Sequence, residues 1–160
     1  MEEQKCKELM WQVNTELLKE VMLERRDAIL RLLLFLDEGN IKDTSSAVLW
    51  ACKREDVEVL KILIELGVDV TVKDNLPIMV AANRGNVEMV KLLIEAGTDV
   101  TTSRNYPIRL ASQQGYKEVV ELLIEAGADV TADYNYALKM AYKNCHKEVV
   151  ELLKRAGAKM

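Results

Sequence analysis

Glycine and proline recur along this chain at a fixed interval of 30 residues, and this interval restricts the possible folds more than any other feature. The chain has 160 residues but only 7 glycines and 2 prolines, so nearly all of its turn-forming residues belong to the repeat. Such self-similarity predicts stacked copies of one small unit. The periodic positions are Gly67, Gly97, Gly127 and Gly157, then Gly85 and Gly115, then Pro77 and Pro107.

The second half of each unit reads as an amphipathic helix. The segment Leu-Leu-Ile-Glu-Ala-Gly occurs at 92–97 and again at 122–127, with weaker copies at 62–67 and 152–157. Apolar residues before each glycine follow helical spacing and form one broad face. Each glycine then falls where a left-handed residue commonly ends a helix.

The first half of each unit reads as a shorter helix with proline in its first turn, where no helical hydrogen bond is lost. Asn75 and Asn105 stand two residues before Pro77 and Pro107, and we expect both to act as N-caps. One such helix pair cannot bury its apolar face alone, whereas stacked pairs can. The chain is therefore predicted to be an all-α solenoid.

These motifs resemble the ankyrin repeat family. Pro77-Ile78-x-x-Ala81 matches the family's Pro-Leu-His-x-Ala core, and Leu-Leu-Ile-Glu-Ala-Gly-Ala-Asp at 122–129 matches its second helix. The family's usual repeat has three more residues, and the missing ones fall between Asp74 and Pro77, where a hairpin tip normally lies. The resemblance implies an ankyrin-type solenoid with shortened or absent β-fingers. Similar short repeats occur in some ankyrin proteins of large DNA viruses.

We expect residues 1–160 to form one solenoid domain. Residues 45–160 would hold about four repeats, near 47–76, 77–106, 107–136 and 137–160. The last repeat is interpreted as a C-terminal cap, since Lys154, Arg155 and Lys159 make its outer face more polar than that of the preceding repeat. Residues 1–44 lack the motif but carry two apolar helical stripes, so they are interpreted as a degenerate N-terminal capping helix pair.

Charge and composition exclude several function classes. A net charge of −4 and a pI near 5.2 argue against nucleic-acid binding. No apolar run is long enough to span a membrane, and the first residues do not resemble a secretory signal. The cysteines Cys6, Cys52 and Cys145 form no Cys-x-x-Cys pair, so they give no strong metal signal, and three unpaired thiols favour an intracellular, cytoplasmic setting.

We find no chemistry-bearing constellation, so no enzymatic activity, cofactor or metal is expected. The one histidine, His146, occupies a turn position that differs in every repeat, and it reads as a surface residue. Glutamates recur on the second helices, while the positions that vary between repeats fall on the first helices and their connectors. In ankyrin-like stacking the first helices and the connectors line the concave face.

We therefore expect a noncatalytic, monomeric protein–protein interaction module whose concave face binds an acidic or polar segment of another protein. Two alternatives stay open: a structural or oligomerisation module acting through the N-terminal helices, and an engineered ankyrin binder, against which free cysteines and irregular connectors argue. The candidate partner-binding residues are Lys53, Arg54, Lys73, Asp74, Met79, Asn83, Arg84, Arg104, Tyr106, Arg109, Gln113, Gln114, Tyr134, Tyr136, Lys139 and Lys143.

Overall fold

The computed structural model describes residues 44–159, and it shows eight α-helices and no β-strand in that part of the chain. The expected capping pair in residues 1–44, and with it the oligomerisation alternative, falls outside this part except for the last residue. The helices are α1 (Thr44–Arg54), α2 (Val57–Glu65), α3 (Val72–Arg84), α4 (Val87–Glu95), α5 (Thr102–Gln114), α6 (Lys117–Glu125), α7 (Ala132–Lys143) and α8 (Lys147–Arg155).

The helices form two rows. Each of the first helices α1, α3, α5 and α7 packs against the second helix that follows it, and α1, α3 and α5 each pack against the first helix of the next repeat. The second helices α2, α4, α6 and α8 contact one another less extensively than the first helices do. The prediction of an all-α, ankyrin-type solenoid is confirmed.

The core runs continuously between the two rows. Its largest residues recur at the repeat interval, and each is fully buried. Ile78, Ile108 and Leu138 come from the first helices at one equivalent position, and Leu93 and Leu123 come from the second helices. Burying a side chain of this size stabilises the fold by about 1.5–3 kcal/mol, so every repeat depends on its neighbours for stability.

The second helices end as the sequence predicts. Gly67, Gly97, Gly127 and Gly157 all have positive φ, between 72° and 108°. After α4, the N–H of Thr98 donates to the carbonyl of Leu93 and the N–H of Gly97 donates to that of Ile94. This is the Schellman arrangement, which satisfies carbonyls that the helix end would otherwise leave open.

A short left-handed turn precedes Pro77, in place of a β-finger. Lys73, Asp74 and Asn75 all have positive φ, and the three residues before Tyr106 and before Tyr136 repeat this conformation. Each such residue costs about 1–2 kcal/mol relative to right-handed backbone, and asparagine tolerates the conformation best. The N–H of Asn75 donates to the carbonyl of Thr71, which closes the turn.

The expectation that Asn75 and Asn105 act as N-caps is wrong. Asn105 uses its side-chain oxygen to accept from the backbone N–H of Asp129, 24 residues later, at 2.7 Å. Asn135 accepts in the same way from Lys159 at 3.1 Å. The side-chain oxygen of Asn75 is buried and has no hydrogen-bond partner in the described part of the chain. Asn105 and Asn135 therefore each tie one connector to the segment that follows the next second helix.

The turn between the two helices of a repeat is also left-handed. Gly85 and Gly115 have φ of 74° and 82°, and a methyl group added at either would meet a ring of the next repeat within 2.7 Å. Those rings belong to Tyr116 and His146. Cys145 occupies the equivalent position in the last repeat with φ of 61°. Glycine is therefore required where a following ring covers the turn, while the conformation alone tolerates a side chain.

Candidate functional site

All sixteen residues proposed from the sequence lie in the first helices as the structure bounds them. We call the solvent-facing side chains of α1, α3, α5 and α7 the first-helix face. Thirteen of the sixteen are exposed there, Arg109 and Tyr136 are partly buried, and Met79 is buried at 8% exposure. The inclusion of Met79 is corrected by this burial, because its side chain packs inside the stack. The exposed thirteen are Lys53, Arg54, Lys73, Asp74, Asn83, Arg84, Arg104, Tyr106, Gln113, Gln114, Tyr134, Lys139 and Lys143.

Arg109 lies at the centre of a cluster of side chains on this face. Its guanidinium carbon lies 5.3 Å from the ring centre of Tyr106 and 4.2 Å from that of Tyr136, so the cation is held between two rings. Its Nη1 atom also pairs with Oδ2 of Asp133 at 3.1 Å. The Arg109 side chain is only 15% exposed. Arg109 therefore fixes two tyrosines from neighbouring repeats, and its own charge is largely neutralised.

Two other basic residues of the first-helix face are also engaged. Arg84 pairs with Glu55 of the preceding repeat at 3.0 Å. Arg54 lies over the ring of Trp50, with the guanidinium carbon 5.4 Å from the ring centre. Both contacts are partly exposed, so each contributes only modestly to stability. Their main effect is to restrict the side chains that a partner would meet.

The remaining cations of this face are exposed to solvent. No ion pair within residues 44–159 includes Lys53, Lys73, Arg104, Lys139 or Lys143. The exposed side chains of α2, α4, α6 and α8, which we call the second-helix face, are instead rich in glutamate. Lys61 links two of these glutamates, Glu58 and Glu88, at 3.1 and 2.7 Å. These two hydrogen bonds raise the pKa of Lys61. The two faces therefore differ in the sign of their unpaired charge.

Sequence reasoning did not select Asp133, Glu55 or Trp50, although each holds an arginine of the first-helix face. A usable signal existed for Asp133. It lies 24 residues after Arg109, the same separation that joins Asn105 to Asp129 and Asn135 to Lys159. Residues 24 apart are thus brought together by the stacking, and an acid at that distance from a basic residue predicts an ion pair.

The described residues include two cysteines, Cys52 and Cys145, and one histidine, His146. That part of the chain contains no cluster of three or more histidine, cysteine or acidic side chains able to bind a metal. Burial raises the pKa of the Cys52 thiol to about 12, so it stays protonated. The ring of His146 packs over Gly115, and its Nε2 lies 3.0 Å from the carbonyl oxygen of Gln113, to which the side-chain amide of Asn144 also donates.

Asp69 and Asp129 serve the connectors. Each accepts hydrogen bonds from the hydroxyl and backbone N–H of the threonine two residues later, Thr71 or Thr131, at 2.6–2.8 Å. These bonds, chiefly the one from the hydroxyl, lower the pKa of both carboxyl groups. The same pair of bonds joins Asp99 to Thr101. The role of these acids is therefore to shape the turn.

Comparison with known proteins identifies the repeat. A family model described as ankyrin repeats (3 copies) matches residues 17–104 and 79–160. The match begins 30 residues before the first repeat recognised from the sequence, so the family pattern extends into the expected N-terminal pair. A search of curated proteins found no match. Between residues 44 and 159, no helix is both long enough and apolar enough to cross a membrane.

Proposed function

This chain belongs to the ankyrin repeat family, and from that premise we propose that it is a noncatalytic module whose first-helix face binds a segment of another protein. Ankyrin repeats generally mediate protein–protein interaction and are typically noncatalytic. The segment we propose is acidic or polar. We also propose that the chain is intracellular, cytoplasmic and monomeric. The free thiols of Cys52 and Cys145 support the intracellular setting, because reducing compartments preserve such thiols.

One observation carries the proposal: variation between repeats is concentrated on one face. Each set of equivalent positions in the second helices holds at most two residue types, and the set Glu58, Glu88, Glu118 and Glu148 is the same throughout. Equivalent positions of the first helices change in size and charge, as in Lys73, Ser103 and Asp133. A surface that varies on a constant frame is what specific recognition requires, whereas a surface that only keeps the stack in solution has no need to vary.

The stacked frame also favours binding energetically. Rings held in place, such as those beside Arg109, lose little conformational freedom when a partner docks. Ordering a side chain that is mobile before binding costs about 0.5–1.5 kcal/mol, and fixed side chains avoid that cost. Unpaired cations on the same face attract acidic segments over a range set by the ionic strength.

A pair of charge-matched variants tests the proposal. The front variant carries Lys53→Glu, Lys139→Glu and Lys143→Glu, and the back variant carries Lys91→Glu, Lys147→Glu and Lys154→Glu. All six lysines are exposed, and each variant changes the net charge equally. Peptides are selected from a random displayed library on the intact chain, and their dissociation constants are then measured against both variants.

We expect the front variant to weaken the selected peptides at least tenfold and the back variant to change them less than threefold. Both variants should unfold at temperatures close to that of the unaltered chain. A larger effect of the back variant would place recognition on the second-helix face. Equal weakening by the two variants would show that the first-helix face has no special role in binding. Either result would overturn the proposal.

A further inference from the structure

The first-helix face is not uniform along the stack. Its half formed by α5 and α7 holds four exposed or partly exposed tyrosines, Tyr106, Tyr134, Tyr136 and Tyr142, whereas α1 and α3 hold none. Tyr134 is 85% exposed and Tyr106 is 40% exposed. Tyrosine is enriched at the energetic centres of protein interfaces because its large ring is rigid and carries a polar group. The binding energy is therefore expected to concentrate in this half.

The charges of this half have one sign after internal pairing. Asp133 is the only acidic residue within α5 and α7, and it is already paired with Arg109. The exposed charges left are those of Arg104, Lys139 and Lys143. In the other half, by contrast, Asp74 lies beside Lys73, and Glu55 pairs with Arg84. Charge complementarity thus favours an acidic partner most strongly at α5 and α7.

The two lysines of α7 also define a spacing. Lys139 and Lys143 are four residues apart in a helix, so they share one face, and their Cβ atoms are about 5–6 Å apart. Alternate side chains of an extended segment point the same way and are about 6.6 Å apart, given a rise of about 3.3 Å per residue. Two carboxylates separated by one residue match this lysine pair, whereas adjacent carboxylates point to opposite sides.

We propose that the patch formed by Tyr106, Tyr134, Tyr136, Lys139 and Lys143 binds an extended segment of another protein that carries two carboxylates at alternate positions next to an apolar side chain. The lysines contact the carboxylates, and the tyrosine rings contact the apolar side chain. Arg109 and Asp133 are positioning residues, which fix Tyr106 and Tyr136 from beneath. This inference rests on the proposed function and specifies where and by what chemistry it operates.

The probes are four synthetic twelve-residue peptides of equal length. The first carries Glu-Ser-Glu followed by leucine, the second carries the same residues with the glutamates adjacent, the third has both glutamates replaced by lysine, and the fourth has leucine replaced by serine. Their dissociation constants are measured for the intact chain and for two double variants. One double variant is Lys139→Glu with Lys143→Glu, and its charge-matched control is Lys53→Glu with Lys73→Glu.

We expect the first peptide to bind at least fivefold more tightly than each of the others. The Lys139→Glu, Lys143→Glu variant should weaken it at least tenfold, and the control variant less than threefold. Tyr134→Ala should also weaken it, while Tyr116→Ala, which alters a ring outside the patch, serves as a second comparison. Tripling the salt concentration should reduce the affinity for the intact chain but not that of the Lys139→Glu, Lys143→Glu variant, because salt screens the repulsion between its new glutamates and the peptide.

Each other result counts against the inference. Loss of binding in the control variant instead would move the site to α1 and α3 and leave the proposed function intact. Equal affinity for adjacent and alternate glutamates would remove the spacing argument, and preference for the lysine peptide would reverse the charge. Failure of all four peptides, while library-selected peptides bind the first-helix face, would overturn this inference alone. Sensitivity of the selected peptides to the back variant would overturn the proposed function as well.

Discussion

The contact between α3 and α5 and the contact between α5 and α7 use the same backbone and different side chains. In α3, the residues at two equivalent positions are Leu76 and Met79, and Met79 is buried. In α5, the same positions hold Tyr106 and Arg109, which build the cluster with Tyr136 and Asp133. A buried or partly buried ion pair is seldom more stabilising than apolar residues of similar size. Stability is therefore a weak reason for the charged version, and we propose that the cluster serves the recognition surface instead.

The largest expected effect tests whether the turns that follow α3 and α5 both require glycine. We expect Gly85→Ala and Gly115→Ala to lower the free energy of unfolding by about 2–4 kcal/mol each, because the added methyl group meets a ring and φ stays positive. Gly127→Ala, where φ is positive but no atom lies within 4 Å, should cost about 1–2 kcal/mol. Urea unfolding of the three variants measures this. Equal losses would show that ring packing adds nothing.

The next effect separates stability from recognition at the α5–α7 contact. Asp133→Ala leaves Arg109 partly buried without its counter-ion, so we expect a loss of about 1–3 kcal/mol in the free energy of unfolding. Arg109→Met installs the residue found in α3 and should change that free energy by less than about 1 kcal/mol. Calorimetry under matched conditions compares them. A larger loss for Arg109→Met than for Asp133→Ala would show that the cluster exists for stability.

The sequence predicts the frame well because the frame follows periodic rules. Apolar spacing identified the helix pairs, and the glycines at 30-residue intervals identified the ends of the second helices. The connectors were harder, since asparagine is favoured both as an N-cap and in left-handed backbone. Only the structure shows that Asn105 takes the second role and bonds to Asp129. Met79 was wrongly included among the exposed candidates, because a position that varies between repeats was taken to be exposed. The residue at that position varies instead with the packing of each repeat against its neighbour.

A smaller effect compares the connectors themselves. Asn105 and Asn75 have the same left-handed conformation, but only the side chain of Asn105 has a hydrogen-bond partner in the described residues. We expect Asn105→Ala to destabilise the chain by about 1 kcal/mol more than Asn75→Ala, because the conformational cost cancels and the hydrogen bond remains. Chemical unfolding of both variants gives this difference. Identical values would mean that the bond does not form in solution.

The smallest effect concerns pH and should be the same in both connectors. The hydroxyl groups of Thr71 and Thr131 lower the pKa of Asp69 and Asp129. A carboxyl whose pKa is lower in the folded chain contributes stability above its unfolded pKa of about 3.9, and this contribution is lost as pH falls through the folded value. Thr71→Val and Thr131→Val should each raise the pKa of the neighbouring aspartate and so reduce the stability that is lost as pH falls. NMR titration measures both, and a shift at only one site would show that the connectors differ.

We propose that a partner lies along the first helices and not along the second helices. Backbone amide shifts, recorded while a library-selected peptide is titrated into the ¹⁵N-labelled chain, test this directly. We expect the largest changes at Tyr134, Lys139 and Lys143, and small ones at Glu118 and Glu148. Changes confined to α4, α6 and α8, with α5 and α7 unaffected at saturation, would contradict the account.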